Sequence, residues 1–385
     1  MTAGAGTEEA VIVGGGLAGA AAACVLAQAG RSPLLIEREA SAKHKVCGEF
    51  LSIEAQAYLA DLGIGLDSLG ASYIASVRLI SGRRAAEADL PFIARGVSRI
   101  SLDEALLHLA SSYGTRIVRG SAVRTISFDQ QGIRAHADEL HDLRARTLLL
   151  ATGKHDVRGA KRLTSGTTDD LIGFKTHYCL TERQRSVLDG RIEVILFSDG
   201  YAGLQMIEDG TANLCLVVKQ RRFKELGKSW PGLLHAIGDE VPALRDRLEG
   251  AVPLFERPLS ISHVPYGFVH MSHPAEPQGL FRIGDQVGVI PSYTGGGMAI
   301  ALHSGYLAAS TYLKRGQAGS DFHRQLRDDI LDQIRIASLL YEASCRPFGQ
   351  RAILRLCQVW PSVMRYVTSS TRLRSLAVQR VLVSS

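Results

Sequence analysis

The stretch Ala10-Val-Ile-Val-Gly14-Gly-Gly16-Leu-Ala-Gly19-Ala20 decides the fold. A short apolar run of strand type meets glycines at 14, 16 and 19. An alanine-rich helical segment extends to Gly30, and a second apolar run, Ser32-Pro-Leu-Leu-Ile-Glu37, ends on an acid. This is the pattern of a strand–helix–strand dinucleotide unit. Gly14 allows the tight turn, Gly16 lets backbone N–H groups approach a pyrophosphate at the helix N-terminus, and Gly19 lets helix pack on strand. Glu37 ends the second strand where a carboxylate accepts hydrogen bonds from an adenosine ribose. Glycine-rich turns are common, so the flanking strand, helix and acid carry the reading. The unit by itself does not separate FAD from NAD.

A chain of 385 residues makes one large or two closely joined domains with an ample core. Hydrophobic residues at 46% and charged residues at 21% are an ordinary soluble composition. The start, Met1 to Glu9, has no basic region of the kind that opens a signal peptide, and no apolar run is long enough to span a membrane. Six cysteines, at 24, 47, 179, 215, 345 and 357, show no paired spacing. That favours a cytoplasmic, reducing setting over a disulfide framework and gives no metal site. From Ala343 to Ser385 there are seven arginines and no acid, against a net charge of +6 for the chain, so the remainder is close to neutral. This tail reads either as a solvated helical face packed on the body or as a basic apolar surface for a membrane or an acidic carrier protein. No nucleic-acid motif accompanies it, and the chain reads as a monomer.

Along the chain, a polar loop closes on Cys47-Gly48-Glu49, and Ser52 caps a helix over 53–62. Strands are expected over 73–79 and 87–93. Ser101-Leu-Asp-Glu104 has the form of a capping box opening a helix to about Tyr113. Alternating segments at 116–119, 122–128 and 132–137 precede a buried parallel strand ending at Gly153. From Ile172 to about Val269 the runs lengthen and become antiparallel in character. The dinucleotide texture then returns with Gly279 to Asp285, and Pro291-Ser-Tyr-Thr-Gly295-Gly-Gly297 opens a long helix from Met298. Helices follow from Ser320, broken at Arg346-Pro347.

Gly14-x-Gly16-x-x-Gly19 with Glu37, Arg99 before a helix, Gly284-Asp285, and Pro291 with Gly295–Gly297 together resemble the flavoprotein group of para-hydroxybenzoate hydroxylase-type monooxygenases, geranylgeranyl reductases and flavin-dependent halogenases. The resemblance extends to about residue 315 and leaves the basic tail outside. It implies an α/β, two-domain chain: a Rossmann-type FAD-binding domain (1–75, 96–170 and 276–318), an inserted antiparallel-sheet substrate domain (76–95 and 171–275), and a helical basic C-terminus (319–385). It implies FAD as cofactor, with Gly14, Gly16 and Gly19 around the pyrophosphate and Glu37 at the adenosine ribose. Lys45 falls toward phosphate, Arg99 toward the phosphate or the ribityl chain, Val123 at adenine and Asp285 at the ribityl chain, with Leu17, Ala18, Arg38, Cys47, Gly48 and Gly153 also among the cofactor-binding residues. Gly295, Gly296, Gly297 and Met298 fall under the isoalloxazine, where a helix N-terminus supplies N–H donors to a reduced, negatively charged ring.

Cys47-Gly48 resembles a geranylgeranyl reductase segment, so Cys47 is either a group facing the flavin or a buried inert thiol. Tyr293, two residues before the glycine loop, is the other catalytic candidate. His177, Tyr201, Gln205, His263 and Tyr266 are possible substrate-side groups. The hydroxylases' acid before the glycine is missing from Ala151-Thr-Gly153, which puts direct reduction by NADPH or NADH in question and leaves a partner reductase as the other electron source. The halogenase Trp-x-Trp-x-Ile-Pro signature is absent. The expected activity is hydroxylation of an aromatic or lipophilic biosynthetic intermediate through a C4a-hydroperoxyflavin, as in secondary metabolism. The alternative is a C=C reductase of geranylgeranyl reductase type acting on an isoprenoid or polyene. A third reading is a flavin-binding module without turnover.

Overall fold

The structure is a computed structural model and describes residues 7–140, 142–164, 167–168, 170–273 and 276–383. Part of the N-terminal stretch read for a signal peptide therefore lies outside the described residues. The opening unit is β1 (Thr7–Val13), α1 (Leu17–Gln28) and β2 (Leu34–Glu37), with β1 and β2 parallel in the register Val11 to Leu34. Helix α1 is buried along almost its whole length, which is why it is alanine-rich rather than amphipathic. A Cβ at Gly19 would lie 1.9 Å from the Gly14 carbonyl oxygen, so only glycine lets the helix approach its own entry strand.

The chain continues through β3 (Phe50–Leu51), α2 (Ile53–Leu62), β4 (Ser72–Ser81), β5 (Arg84–Gly96), α3 (Arg99–Ser112), β6 (Arg116–Arg119), β7 (Val123–Asp129), β8 (Gly132–Ala137) and β9 (Leu143–Leu150). Then come β10 (Leu171–Cys179), α4 (Glu182–Leu188), β11 (Gly190–Phe197), β12 (Gly200–Met206), β13 (Thr211–Lys219), α5 (Gln220–Glu225), α6 (Trp230–Glu240) and α7 (Pro242–Leu248). The last elements are β14 (Val252–Pro253), β15 (Leu259–Ser262), β16 (Leu280–Arg282), α8 (Gly297–Arg315), α9 (Gly319–Ser344), α10 (Pro347–Val359), α11 (Ser362–Ser370) and α12 (Ser375–Leu382).

These strands form two sheets. The first runs β6-β2-β1-β9-β8-β7, with β16 also on β9; its β6, β2, β1, β9 and β16 pairings are parallel and its β7–β8–β9 pairings antiparallel. Helix α1 lies on it, α3 and α8 pack against α1, and Gly305 lets α8 approach α1, since a Cβ there would lie 2.3 Å from the Ala18 carbonyl oxygen. The second runs β14-β10-β13-β12-β11-β4-β5-β3 and is antiparallel except for β11 beside β4. Strand β11 is buried on both sides: Ile195 and Phe197 pack with α6 and α7, while Val194 and Leu196 face the opposite way.

The structure departs from the sequence reading at three small points. The cap of α3 is Ser98, whose hydroxyl accepts from the Ser101 N–H, so Ser101 lies inside the helix and no capping box forms at Ser101. Ser52 occupies the N-cap position of α2, but its hydroxyl makes no cap hydrogen bond. Phe50–Leu51, read as loop, is the edge strand of the second sheet.

Candidate functional site

The first part of the site is built by the turn after β1. The Gly15 N–H donates to Glu37 Oε2 at 2.6 Å and the Glu39 N–H to Oε1 at 3.0 Å, fixing the acid at the end of β2. Gly16 is the N-cap of α1 with φ −76°, and a Cβ there would make only ordinary van der Waals contacts. A Cβ there would stand 3.4 Å from the Arg99 guanidinium and 3.8 Å from Lys45 Nζ. Both cations are held by one carboxylate: Asp103 takes Lys45 at 2.7 Å and two Arg99 nitrogens at 2.9 Å. Burial opposes ionisation of Asp103, but Arg99 and Lys45 outweigh it and hold the carboxyl below the usual carboxylate range. Unpaired N–H groups at a helix start, faced by two fixed cations, make a site for a diphosphate. FAD fits this cradle.

The other expected cofactor residues lie in separate places. Gly153 follows β9, and a Cβ on it would meet Asp285 at 4.0 Å; Asp285 bonds Lys154 at 3.0 Å, and Gln286 ties the two loops through the Gly153 and His155 carbonyls at 2.8 and 2.9 Å. Val123 opens β7, two residues after Ser121, whose N–H donates to the Glu37 carbonyl at 3.2 Å. Arg38 is half exposed and pairs with Glu39, while the Leu17, Ala18 and Met298 side chains point into the core. Gly295 has φ +71°, and a Cβ there would lie 2.6 Å from the Phe50 ring, so the start of α8 can press on β3 only as glycine. Arg372, from the basic tail, donates to the Thr294 and Gly295 carbonyls at 2.6 and 3.1 Å.

Behind Cys47-Gly48 lies a buried polar network. Glu49, at φ +57°, accepts from the Arg99 N–H at 2.7 Å, from His177 Nε2 at 2.8 Å and from Lys175 Nζ. Its own carbonyl accepts from Gln205 at 2.8 Å, and Asn213 donates to the Cys47 and Gly48 carbonyls at 3.2 and 2.9 Å. Burial pushes the Glu49 carboxyl up, but His177 and Lys175 together hold it below its ordinary value. His44 packs edge-on to His177, and burial followed by the Lys175 charge pushes it down to about 4. His44, Glu49 and His177 bring three metal-type donors together, yet the Lys175 ammonium already supplies the positive charge at Glu49. The Cys47 thiol lies against the Arg99 guanidinium, half-buried, and accepts from the Glu49 N–H at 3.4 Å.

A cavity of about 230 Å³ lies between the second sheet and the C-terminal helices. Val194, Leu196 and Ala202 line the sheet side, and Ile353, Met364 and Val367 line the roof. Gly48, Phe50, Ser292 and Gly295 stand at the end nearest the glycine loop. There the hydroxyls of Tyr201, Tyr266 and Ser292 bond one another, with Tyr201 to Tyr266 at 2.7 Å and Tyr266 to Ser292 at 2.7 Å. Tyr293 puts its ring on the cavity wall while its hydroxyl donates to the Ala337 carbonyl at 3.4 Å. Burial raises its pKa, so it is a clasp to α9 rather than a ready proton donor. His263 lies apart, beside a separate surface hollow with Asp170 and Gln220.

Residues 7–159 match the family described as FAD binding domain. The chain shares an FAD-binding region with the FAD-dependent oxidoreductases and resembles them in overall fold. This flavoprotein is 27% identical over 350 residues to protein FixC of Escherichia coli (strain K12), covering 82% of this chain and 79% of FixC. It is 28% identical over 162 residues to a menaquinone reductase of Mycobacterium tuberculosis (strain ATCC 25618 / H37Rv), covering 40% of each chain. It superposes on the flavin-dependent brominase Bmp2 with a TM-score of 0.73 at 19% identity, covering 98% of this chain and 94% of Bmp2. At that identity the likeness is one of fold. Its reach corrects one expectation, because it takes in the C-terminal helices that the motifs had left outside.

Sequence reasoning missed Lys175, Lys154, Asp103 and Arg372. Lys175 sits in a strand buried on both faces, where alternation gives no sign of which side a charge occupies. Arg372 looked like any other arginine of the tail, and nothing local to it marks the carbonyls it meets.

Proposed function

We propose that this flavoprotein is a monooxygenase that hydroxylates a lipophilic, uncharged aromatic compound, with electrons from NADPH, NADH or a partner reductase. The observation that carries the reading is the cavity: apolar along the sheet and roof, with Tyr201 and Ser292 in its lining beside the glycine loop at the start of α8, their hydroxyls joined by that of Tyr266 behind them. A site of this kind suits a hydrophobic body with one polar oxygen. Gly16, Arg99 and Lys45 would hold the FAD diphosphate, Glu37 its ribose, and the N–H groups of residues 295–297 its ring. Bound FAD supplies two-electron chemistry, either oxygen transfer from O2 or hydride transfer to a double bond. The chain's own part is to orient and to exclude water. Tyr201 and Ser292 can bond a phenolic oxygen, and Tyr201 keeps its proton because burial holds its pKa well above the ordinary value. Burial likewise pushes the Cys215 thiol on the cavity wall up to about 12, so neither group is a strong acid.

The second reading, a C=C reductase, is favoured by the likeness to the menaquinone reductase and by Cys47 beside the Arg99 guanidinium. One experiment separates them: incubation with FAD, a nicotinamide donor or dithionite, and a panel of alkyl phenols and polyprenyl quinones under isotopically labelled oxygen. The monooxygenase reading expects oxygen-dependent turnover and one labelled oxygen atom in the product, the other leaving as water. Anaerobic turnover with a gain of two hydrogens overturns it in favour of the reductase.

A further inference from the structure

The seven arginines of the tail do not share one fate. Arg372 is spent on the Thr294 and Gly295 carbonyls, Arg374 pairs with Asp332 and Arg380 with Asp329. Arg346, Arg351, Arg355 and Arg365 are exposed and bond no carboxylate among the described residues. They stand on or beside α10 and α11 with Phe348 83% exposed, Val359 66%, Trp360 58% and Tyr366 73%. Helix α10 is thus apolar on two sides. Its inner residues Ile353, Leu354 and Cys357 face the second sheet and the cavity, while its outer face alternates arginine with large apolar side chains. Leu356 belongs to both: it lines the cavity and is 42% exposed, so the cavity opens outward at this patch.

We infer that the outer face of α10 and α11 docks on the surface of an anionic lipid bilayer, with Arg351, Arg355 and Arg365 at the headgroups and Phe348, Val359 and Trp360 in the interface. Charge and apolarity together single out this occupant. A second copy meeting through the same patch would set these arginines against themselves. An acidic protein would answer the arginines but not the dispersed aliphatic and aromatic residues, whereas a bilayer interface accepts both. The inference rests on the cavity reading only for its corollary, that an apolar substrate enters from the bilayer at Leu356.

The test is co-sedimentation of the full-length holoprotein with vesicles of phosphatidylcholine alone or mixed with phosphatidylglycerol, at low and high salt and without substrate. Binding is therefore scored whatever the reaction proves to be. The expected result is pelleting with the anionic vesicles only, weakened by salt, with the Trp360 fluorescence shifted to the blue. Arg351→Gln, Arg355→Gln and Arg365→Gln combined should lower vesicle affinity about a hundredfold, at roughly fivefold each. Phe348→Ser with Trp360→Ser should remove the salt-resistant part. Flavin content and melting temperature should match the parent in both variants, since these side chains face solvent. Holoprotein that stays in solution with anionic vesicles overturns the inference, as does a triple variant that pellets like the parent. Dimerisation in sedimentation velocity that these same substitutions abolish assigns the face to a second copy instead.

Discussion

Glu49 concentrates the cost and the purpose of the site in one residue. Its backbone is held at φ +57°, and its carboxylate, without solvent, answers an ammonium, an imidazole and the first N–H of α3. Removing the charge leaves Lys175 buried with no counter-ion, so Glu49→Gln should cost about 3–5 kcal/mol in urea unfolding. Adding Lys175→Met to it should recover part of that loss, a coupling that a double-mutant cycle reads directly. The pH dependence has a definite sign. The folded-state pKa of Glu49 is lowered, so its stabilisation is complete above the ordinary glutamate value of about 4.3 and disappears as the pH falls through the lower folded value. Glu49→Gln should flatten that acid limb. Of this network the sequence showed the Cys47-Gly48-Glu49 turn, Arg99, His177 and Gln205 as separate residues and missed Lys175, because what joins them is contact across long stretches of chain, 128 residues between Glu49 and His177.

At the scale of elements, the glycine loop and the tail depend on each other. Arg372 reaches from the turn between α11 and α12 to two carbonyls at the start of α8, and its guanidinium stands 5.7 Å from the Phe50 ring and 5.2 Å from that of Phe92. Arg372→Ala leaves those carbonyls without their donor and should destabilise the roof by about 2–4 kcal/mol. Faster amide exchange confined to α10–α12, with α1 and β1 unchanged, would report it. Helices and strands were largely legible from periodicity and caps: β1, α1, β2 and α2 fall where the pattern puts them. The roofing of one sheet by helices from the far end of the chain was not, since periodicity gives a helix its apolar face and says nothing of what meets it.

At the scale of the molecule, the second sheet holds a cavity beneath a C-terminal cover, with the glycine loop before α8 at one end. Gly203 on β12 lines that cavity, and a Cβ there would come no nearer than 3.9 Å to the Cys215 carbonyl oxygen. Gly203→Leu should therefore fold at least as well as the parent, as leucine suits a buried strand better than glycine. It should keep its flavin and lose about tenfold or more in kcat/KM for a bulky apolar substrate, an effect a compact substrate would escape. Equal losses for both sizes would place substrate elsewhere. The dinucleotide unit was readable because its glycines and acid are adjacent in sequence. The cavity was not, because its walls come from segments spread along the chain from Gly48 to Arg372.

Gly16→Asp asks most directly whether the first turn of α1 holds the FAD diphosphate. Aspartate is a good N-cap, its Cβ would meet Arg99 and Lys45 only at ordinary contact distance, and its carboxylate would pair with them, so the apoprotein should keep or raise its melting temperature. The flavin absorbance per chain after purification with added FAD is the measurement. The account predicts close to one FAD per chain in the parent and an affinity reduced at least about tenfold in Gly16→Asp. A folded Gly16→Asp protein as yellow as the parent would contradict it.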